Sequence, residues 1–339
     1  MPTDETILIT GANGEIGHGL IQHLCSSRQA RIVATDIVPL DSSLQGGCHT
    51  FVQGDITDPA LAARLGGEYT FTTIYHLASI LSTKGERDPE LAHHVNVDGT
   101  LGLLRLASDQ SGKLGHPVKF IYPSSIAAYG IPDLETKQRE GRVVRENEWC
   151  FPATMYGVNK LTCEHLGRYY AQHYRRLDKE APVRIDFRGL RFPGLISALT
   201  VPTGGTSDYG PEMLHHAAQG KPYACFVRPD SQLPFMVMPD AITALLLLES
   251  ARRENLGQLI YNVTSFSPNA AEILDMILRA FPAAEITFAP DARRQGIVDS
   301  WPADVDDSAA RREWGWKPAY DMRRSFEEYL IPSVRQRYA

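Results

Sequence analysis

The chain has 339 residues, of which 43% are hydrophobic and 22% are charged, and its net charge is −6. This length and composition are typical of a soluble globular protein with one large or two modest domains. The negative charge gives no support for a nucleic-acid partner, because phosphate binding needs a basic face, and no apolar run approaches the roughly 20 residues of a membrane span.

The cysteine pattern and the start of the chain bear on compartment. The five cysteines are scattered and never form a Cys-x-x-Cys pair, which argues against a disulfide framework and against structural zinc. The first apolar run begins at Thr6, so the sequence leaves no room for a signal or transit peptide. We therefore expect a cytoplasmic protein that needs no metal.

The first predicted element is a strand over 6–10 that enters a glycine loop and then a helical pattern. Gly11 permits the tight turn, Gly14 lets backbone amides approach a pyrophosphate, and Gly17 lets the helix pack closely on the strand. The N-terminus of such a helix carries partial positive charge towards the phosphates. The loop therefore predicts a dinucleotide-binding unit.

The second predicted strand ends at Asp36, nineteen residues after Gly17. An acidic residue at this place accepts hydrogen bonds from a ribose 2′-hydroxyl and repels a 2′-phosphate, so it favours NAD over NADP. An ordinary glycine turn followed by a solvated aspartate is the alternative. The order of strand, loop, helix, strand and acid favours the cofactor site.

Strand-like and helix-like patterns alternate through the first half. Apolar runs at 32–34, 73–77 and 118–122 are separated by helical spacing at 58–65 and 90–108. Such alternation predicts an α/β fold, a doubly wound parallel sheet covered by helices on both faces. Right-handed crossovers then place the ligand at the carboxyl ends of the strands.

The catalytic candidates are a pair on one helix and a serine before it. Tyr156 and Lys160 are four residues apart in a helical pattern over 155–174, so the phenol and the ammonium emerge on one face. A tyrosine that titrates near pH ~10 needs a nearby ammonium to act as a base near neutrality. Ser125, upstream of the helix, can hold a substrate oxygen in line with that base. Alone, the spacing is also typical of a solvated helix.

Beyond about residue 190 prolines become frequent and a glycine-rich loop appears at 203–208. We expect a Rossmann domain over 1–190 and a smaller, discontinuous substrate domain over 191–339, with some segments returning to the first domain. A charge-rich segment at 135–148 is expected to be a solvated loop. Helical spacing returns in the second half at 241–252, 270–280, 307–314 and 322–329.

The glycine loop, Asp36, Ser125 and the Tyr156–Lys160 pair, in this order, resemble the extended short-chain dehydrogenase/reductase superfamily over nearly the full chain. The resemblance implies NAD as cofactor and a catalytic set of Ser125, Tyr156 and Lys160. The superfamily contains sugar-nucleotide epimerases, dehydratases and alcohol dehydrogenases, so this level does not decide the substrate.

The resemblance also places cofactor contacts beyond the glycines and Asp36. It implies an acid beside the adenine after the third strand, backbone against the pyrophosphate after the fourth, and an asparagine near the active site. The further expected contacts are Asn13, Glu15, Ile16, Ile37, Asp55, Ile56, Leu77, Ala78, Ser79, Asn96, Pro123, Tyr156, Lys160, Pro193 and Leu195.

A narrower resemblance concerns the substrate. After the corresponding strand a sugar-nucleotide epimerase usually shows Phe-Asn-x-Tyr-Gly-Pro, whose asparagine holds the second nucleotide's phosphates. Here residues 192–196 read Phe-Pro-Gly-Leu-Ile, without that asparagine. The stretches that are similar to epimerase-like L-threonine 3-dehydrogenases are 80–86, 193–197, 204–209, 299–302, 306–308 and 314–318.

This narrower resemblance implies oxidation of the C3 hydroxyl of L-threonine by NAD, giving 2-amino-3-oxobutyrate. It makes Tyr156 the general base, Lys160 the group that lowers the pKa of Tyr156 and holds the nicotinamide ribose, and Ser125 the partner of the reacting oxygen. A zwitterion needs a carboxylate for its ammonium and donors for its own carboxylate. The expected substrate contacts are Ser82, Ser125, Tyr156, Gly194, Thr206 and Asp208.

Several alternatives stay open. Thr206 and Asp208 are also residue types that cap a following helix. A nucleotide-sugar epimerase or another small hydroxy-acid dehydrogenase has the same fold, and a cofactor-binding regulator without catalysis has the same glycine loop. Family members usually pair through two helices each, which implies a homodimer. The segments 135–145 and 174–181 are longer than the resemblance leads us to expect.

Overall fold

The fold is described by a computed structural model, which covers residues 5–27, 29–140, 143–180, 182–198, 200–202 and 205–339. Gly141, Arg142, Ala181, Thr203 and Gly204, which belong to segments discussed above, lie outside the described residues. The strands in chain order are β1 (Thr6–Thr10), β2 (Arg31–Asp36), β3 (Thr50–Gln53), β4 (Thr73–His76), β5 (Lys119–Ser125), β6 (Val143–Val144), β7 (Asp186–Phe192), β8 (Gly194–Ile196), β9 (Tyr223–Cys225), β10 (Phe235–Val237), β11 (Ile260–Asn262), β12 (Ile286–Phe288) and β13 (Asp304–Val305).

Two helical stretches begin or continue as wider π-helical turns, at His94–Asp98 and Ser325–Leu330. The α-helices in chain order are α1 (Glu15–Ser27), α2 (Pro59–Glu68), α3 (Ser82–Arg87), α4 (Pro89–His93), α5 (Gly99–Leu114), α6 (Leu134–Arg139), α7 (Met155–Gln172), α8 (Tyr209–Ala218), α9 (Met238–Ser250), α10 (Ala270–Ala280), α11 (Ala292–Ser300), α12 (Ser308–Trp314), α13 (Met322–Arg324) and α14 (Ile331–Tyr338).

The central sheet confirms the predicted doubly wound α/β fold. Seven of the described strands form one parallel sheet in the order β11-β7-β5-β4-β1-β2-β3. The order reverses between β1 and β4, which opens a crevice at their carboxyl ends. The glycine loop follows β1 and Ser125 ends β5, so the sheet delivers both to the same edge.

Buried apolar residues form a core on each face of the sheet and a third core in the second half. The third core also takes residues from 126–144, and β11 returns from the second half to the central sheet. The division at residue 190 stays a prediction. The helices α3, α6, α11 and α14 were not predicted, and α8 was foreseen only as a helix that Thr206 and Asp208 could cap. Helix α11 is short and mostly polar, so it carries little apolar periodicity.

The prediction of a solvated loop over 135–148 is wrong in part: most of its described side chains are exposed, but the segment contains most of α6 and all of β6, and two of its residues are buried. Lys137 and Val144 are buried, and Lys137 donates to the carbonyl of Val298 at 3.1 Å. Residues 143–148, here called the crossing segment, include β6, which pairs with β13, and Glu146, whose carboxylate accepts from the backbone of Asn262 at 2.9 Å. A charge-rich sequence is typical of a solvated loop, but here the backbone of β6 pairs with β13 in the second half of the chain.

Helix α7 lies unusually close to the sheet. A Cβ atom at Gly157 would stand 2.0 Å from the carbonyl oxygen of Ala127, and one at Gly167 would stand 2.2 Å from the ring of Phe187. Since any larger side chain would push the helix outwards, these two glycines allow short contacts between α7 and the ends of β5 and β7.

The described residues include no membrane-spanning helix, no metal-binding group of side chains and no disulfide. None of the described helices combines the length and apolarity that spanning a bilayer requires. The described residues contain no group of three or more His, Cys, Asp or Glu side chains placed to hold a metal ion. Cys25, Cys48, Cys150, Cys163 and Cys225 are unbridged.

Candidate active site

The local sequence sets where the catalytic helix begins. Thr154 is the N-cap of α7, and its hydroxyl accepts from the backbone N–H of Gly157 at 3.1 Å. The Glu86 carboxylate accepts from the backbone N–H of Met155 at 2.7 Å, which satisfies another free donor and places negative charge at the helix N-terminus. Tyr156 therefore lies in the first turn.

The structure brings Ser125, Tyr156 and Lys160 together at the carboxyl end of β5. The Lys160 ammonium, which is 4% exposed, donates to the Pro123 carbonyl at 2.7 Å and lies 4.7 Å from the ring centroid of Tyr122. The Ser125 hydroxyl accepts from the backbone N–H of Ala127 at 3.1 Å and hydrogen-bonds to Tyr156.

The neighbouring hydroxyl, Ser124, is engaged elsewhere. It donates to the Glu164 carboxylate at 2.5 Å and is buried. Ser125 is therefore the hydroxyl of this strand that faces the phenol.

Burial governs the ionisation of the pair. It raises the pKa of Tyr156 to about 12, and hydrogen bonding from Ser125 opposes that shift. Burial lowers the pKa of Lys160 to about 8, and the charges of Cys163 and Glu164 oppose that shift. The Lys160 ammonium donates its hydrogen bond to the Pro123 carbonyl rather than to the phenol, and its nitrogen lies 5.5 Å from the ring centroid of Tyr156. In the chain alone, the phenol is therefore protonated near neutrality.

The glycine loop fits a dinucleotide. Gly11 has φ +69° and a Cβ there would stand 2.6 Å from the backbone nitrogen of Ala78, so the position requires glycine. A Cβ at Gly17 would stand 2.4 Å from the carbonyl oxygen of Ala12, so α1 could not lie against the loop with any other residue. Gly14 is exposed immediately before α1, as approach of a pyrophosphate requires.

Asp36 lies at the end of β2 beside this loop. Its carboxylate accepts from the backbone N–H of Asn13 at 2.9 Å and from that of Val38 at 3.3 Å. The Asn13 side chain in turn accepts from the backbone N–H of Asp41 at 2.8 Å. The side chain of Asn13 thus supports the loop, and the backbone N–H of Asn13 holds the Asp36 carboxylate in place.

Asn96, expected near the cofactor, holds the segment after β4. Its side-chain oxygen accepts from the Ile80 backbone N–H at 2.7 Å and from the Ser79 hydroxyl at 3.1 Å, and its amide donates to the Ile80 carbonyl at 2.9 Å. Asp55 has a similar local role, because its carboxylate accepts from the backbone and the hydroxyl of Thr57. These two residues shape the backbone of the site.

Two of the expected substrate residues, Ser82 and Thr206, come from distant segments and are in contact. The hydroxyls of Ser82 and Thr206, 124 residues apart, lie 3.0 Å from each other and both are buried. Asp208 occupies the N-cap position of α8 without a side-chain capping bond; its carboxylate accepts from the backbone N–H of Gly205 at 2.6 Å. Arg294, which the sequence analysis missed, donates to the Gly205 carbonyl at 3.2 Å.

The expected nicotinamide-lining residues reach the same edge through the sheet register. Ser125 pairs with Phe192 at the end of β7, so Pro193 follows directly, and Leu195 lies just beyond it in β8. Beyond β8, the hydroxyl of Thr200 donates to the carboxylate of Glu15 at 2.5 Å. The glycine loop is thus in contact with the segment that leads to Thr206.

Known proteins resemble this chain over most of its length. The profile described as the NAD dependent epimerase/dehydratase family matches residues 7–264. A mitochondrial L-threonine 3-dehydrogenase of Bos taurus is 32% identical over 320 residues, which cover 94% of this chain and 80% of the relative.

Two solved structures sharpen the comparison. A monomeric L-threonine 3-dehydrogenase from a metagenome superposes with a TM-score of 0.86 at 34% identity, covering 98% of this chain and 100% of the other. The UDP-glucose 4-epimerase of Thermotoga maritima superposes with a TM-score of 0.81 at 17% identity, over 98% of this chain and 100% of the other. The second likeness concerns the fold alone.

The position of Asp36 generates a prediction about cofactor choice. In the Asp36→Ser variant the carboxylate that repels a 2′-phosphate is lost, so the preference for NAD over NADP should fall by about tenfold or more. Dissociation constants for both cofactors, measured by fluorescence titration, check this. Asp58→Ser is the matched control, because it keeps a capping residue at the start of α2. An unchanged ratio in Asp36→Ser contradicts the assignment.

Proposed function

Since the chain belongs to the NAD dependent epimerase/dehydratase family, we propose that it oxidises the C3 hydroxyl of L-threonine with NAD to give 2-amino-3-oxobutyrate. The observation that carries this proposal is the meeting of Ser125, Tyr156 and Lys160 beside the glycine loop. The relatives named L-threonine 3-dehydrogenases support the substrate, at 32–34% identity over almost the whole chain.

Tyr156 is the general base of the proposed reaction. The C3 hydroxyl loses its proton to the Tyr156 oxygen while Ser125 hydrogen-bonds the same substrate oxygen, and C3 becomes a carbonyl carbon. NAD supplies a positively charged nicotinamide that accepts the hydride from C3. The residues that hold NAD are the loop glycines Gly11, Gly14 and Gly17 together with Asp36.

The ionisation of Tyr156 explains why the base depends on a loaded site. Burial holds its pKa at about 12 in the chain alone, so positive charge must favour the phenolate before it accepts a proton. Among the described residues, Lys160 is the one buried cation on this face of α7, and it follows Tyr156 by four residues. Its release from the Pro123 carbonyl towards the cofactor ribose and the phenol is part of the proposal.

The amino-acid head group is proposed to lie between Ser82, Thr206 and Asp208. Two hydroxyls in contact are suitable donors to a carboxylate, and an aspartate is a suitable acceptor for an ammonium. A nucleotide sugar would need a group for its second phosphate, and residues 192–196 lack the asparagine that supplies it in epimerases. The pocket chemistry thus favours a small zwitterion.

A substrate panel tests the function. With NAD present, L-threonine should give NADH, seen as an increase in its absorbance, while L-serine reacts more slowly because it lacks the C4 methyl group. UDP-glucose and UDP-galactose should not interconvert, and small hydroxy acids should give no NADH. Faster turnover of a hydroxy acid, or epimerisation of a UDP-sugar, would replace the proposal with one of the alternatives; no turnover at all would favour a binding protein.

The Tyr156→Phe variant tests the mechanism. Removing the phenol oxygen removes the base, so kcat should fall by about 100- to 10,000-fold. The dissociation constant for NAD, measured in parallel, should change by less than about threefold, since the glycine loop is intact. Tyr169→Phe, on the exposed face of the same helix, removes a hydroxyl far from the glycine loop and keeps the apolar ring, so this control should keep full activity. Near-normal turnover of Tyr156→Phe is the result that rejects the assignment.

We also infer a homodimer formed through α5 and α7. Val158 and Tyr169 are 40% and 45% exposed on α7, as apolar residues of an interface are in an isolated chain. Light scattering should then give about twice the chain mass of 37.6 kDa. A mass equal to one chain would align this protein with the monomeric metagenome relative. A cytoplasmic location stays a prediction.

A further inference from the structure

A third residue of α7 continues the series that begins with Tyr156 and Lys160. Glu164 follows Lys160 by four residues and is 4% exposed. Its Oε1 atom accepts from the Ser124 hydroxyl at 2.5 Å and from Nε of Arg191 at 2.9 Å, and its Oε2 atom accepts from Nη2 of Arg191 at 2.6 Å. The carboxylate is thus held by a bidentate guanidinium and a hydroxyl.

These contacts join consecutive residues of a strand to successive turns of a helix. Pro123 accepts from Lys160, Ser124 donates to Glu164, and Ser125 hydrogen-bonds to Tyr156. We call this set of contacts the strand–helix ladder. Of these three contacts, only the one between Glu164 and Ser124 includes none of the proposed reacting residues Ser125, Tyr156 and Lys160. A slide or rotation of α7 against β5 must break it, so it holds the other two in register.

Arg191 is itself fixed from several sides. It pairs with Ser124 in the β5–β7 register, and its Nη1 atom donates to the Glu146 carbonyl of the crossing segment at 2.9 Å. Its guanidinium lies 4.6 Å from the ring centroid of Tyr129, whose hydroxyl donates to Asn262 at 2.8 Å. Glu164 therefore binds a cation that cannot move with the helix.

Stability alone does not account for a buried ion pair here. Desolvating two charges offsets most of their attraction, and an apolar pair of similar volume packs at least as well in such a place. What an apolar pair does not supply is direction: a bidentate contact fixes both the distance and the angle between helix and strand. The bidentate contact between Glu164 and Arg191 thus fixes the position of α7 against the strands, which apolar packing does not do.

The same carboxylate acts on Lys160 through its charge. The ionisable groups that face Lys160 are Tyr156, Cys163 and Glu164 from α7, Tyr122 from β5 and His76 from β4. Burial lowers the pKa of Lys160, and the charges of Cys163 and Glu164 oppose this. Glu164 is the carboxylate in that set, so it favours the ammonium form of Lys160.

We propose that Glu164, held by Arg191 and Ser124, is a positioning residue that keeps Tyr156 and Lys160 in register with the end of β5 and so sets the rate of the chemical step without touching the substrate. The inference rests on the proposed function, because it needs Tyr156 and Lys160 to be the reacting groups.

The Glu164→Gln variant removes the charge at nearly unchanged size. Because the reacting groups lose their register, kcat should fall by about 10- to 100-fold, while the KM for L-threonine changes by less than about threefold. Because Lys160 loses an attractive charge, its ammonium should titrate at lower pH. In the proposed active form an ionised Tyr156 lies beside the Lys160 ammonium, so kcat/KM should rise with pH only until that ammonium loses its proton. In Glu164→Gln this bend in the pH profile should therefore lie at lower pH. A merely structural role would lower activity equally at every pH.

Two variants provide controls. Glu164→Asp keeps the charge, so the bend in the pH profile should stay at the wild-type position while kcat is partly restored. Glu249→Gln removes a carboxylate that is equally buried and bonded to Lys119 at 2.7 Å, at the opposite end of β5. This variant should lower the melting temperature and leave kcat and the pH profile unchanged.

The outcomes separate this inference from the proposed function. Absence of turnover by the wild-type protein rejects the proposed function, whereas a Glu164→Gln protein with wild-type kcat and pH profile rejects the inference. If Glu164→Gln does not fold, Ser124→Ala decides, since it removes one hydrogen bond and keeps the ion pair. Its kcat should fall by about three- to tenfold, and an unchanged kcat overturns the proposal.

Discussion

The close approach of α7 to the ends of β5 and β7 is the constraint on which the site depends. Gly157 and Gly167 allow this approach, because a Cβ at Gly157 would overlap the carbonyl oxygen of Ala127 and one at Gly167 would overlap the ring of Phe187. With the helix so close, a lysine ammonium reaches a strand carbonyl and a glutamate reaches a strand hydroxyl at 2.7 Å and 2.5 Å. Interiors packed at crystal-like density transmit small displacements, so the spacing of these elements decides whether the phenol and the serine meet.

The crossing segment connects this constraint to the rest of the chain. Its backbone accepts from Arg191 and pairs with β13, and the carboxylate of Glu146 accepts from the backbone of Asn262. The cation that holds Glu164 is therefore itself bonded to a segment that also borders the third core. These bonds connect the second half of the chain to α7 without involving the proposed substrate residues.

The ionisation of Tyr156 and Lys160 is compatible with the proposal that Tyr156 acts as a base only when the cofactor is bound. Burial shifts both pKa values towards the neutral forms: it raises that of Tyr156 to about 12 and lowers that of Lys160 to about 8, so near neutrality the phenol is protonated and the lysine is still an ammonium. Glu15, from the glycine loop, is also buried, with its pKa raised by that burial although its hydrogen bond to Thr200 opposes the shift. The loop proposed for the cofactor and the segment leading to the proposed substrate residues thus share a hydrogen bond.

The sequence by itself determined the features that depend on neighbours along the chain. The glycine loop, Asp36, the alternation of strands and helices, and the Tyr156–Lys160 spacing all follow from local rules of turn, strand and helix, and they were sufficient for the fold class and the cofactor. The tertiary structure alone decided the partners: Ser82 with Thr206 across 124 residues, Glu164 with Arg191, and the crossing segment with β13. Continuing the four-residue series from Lys160 would have pointed to Glu164, but nothing local in the sequence reveals the arginine that binds it. Hydrophobic periodicity records which side of an element is buried, whereas the pairing of polar groups depends on which distant elements the packed sheet brings together.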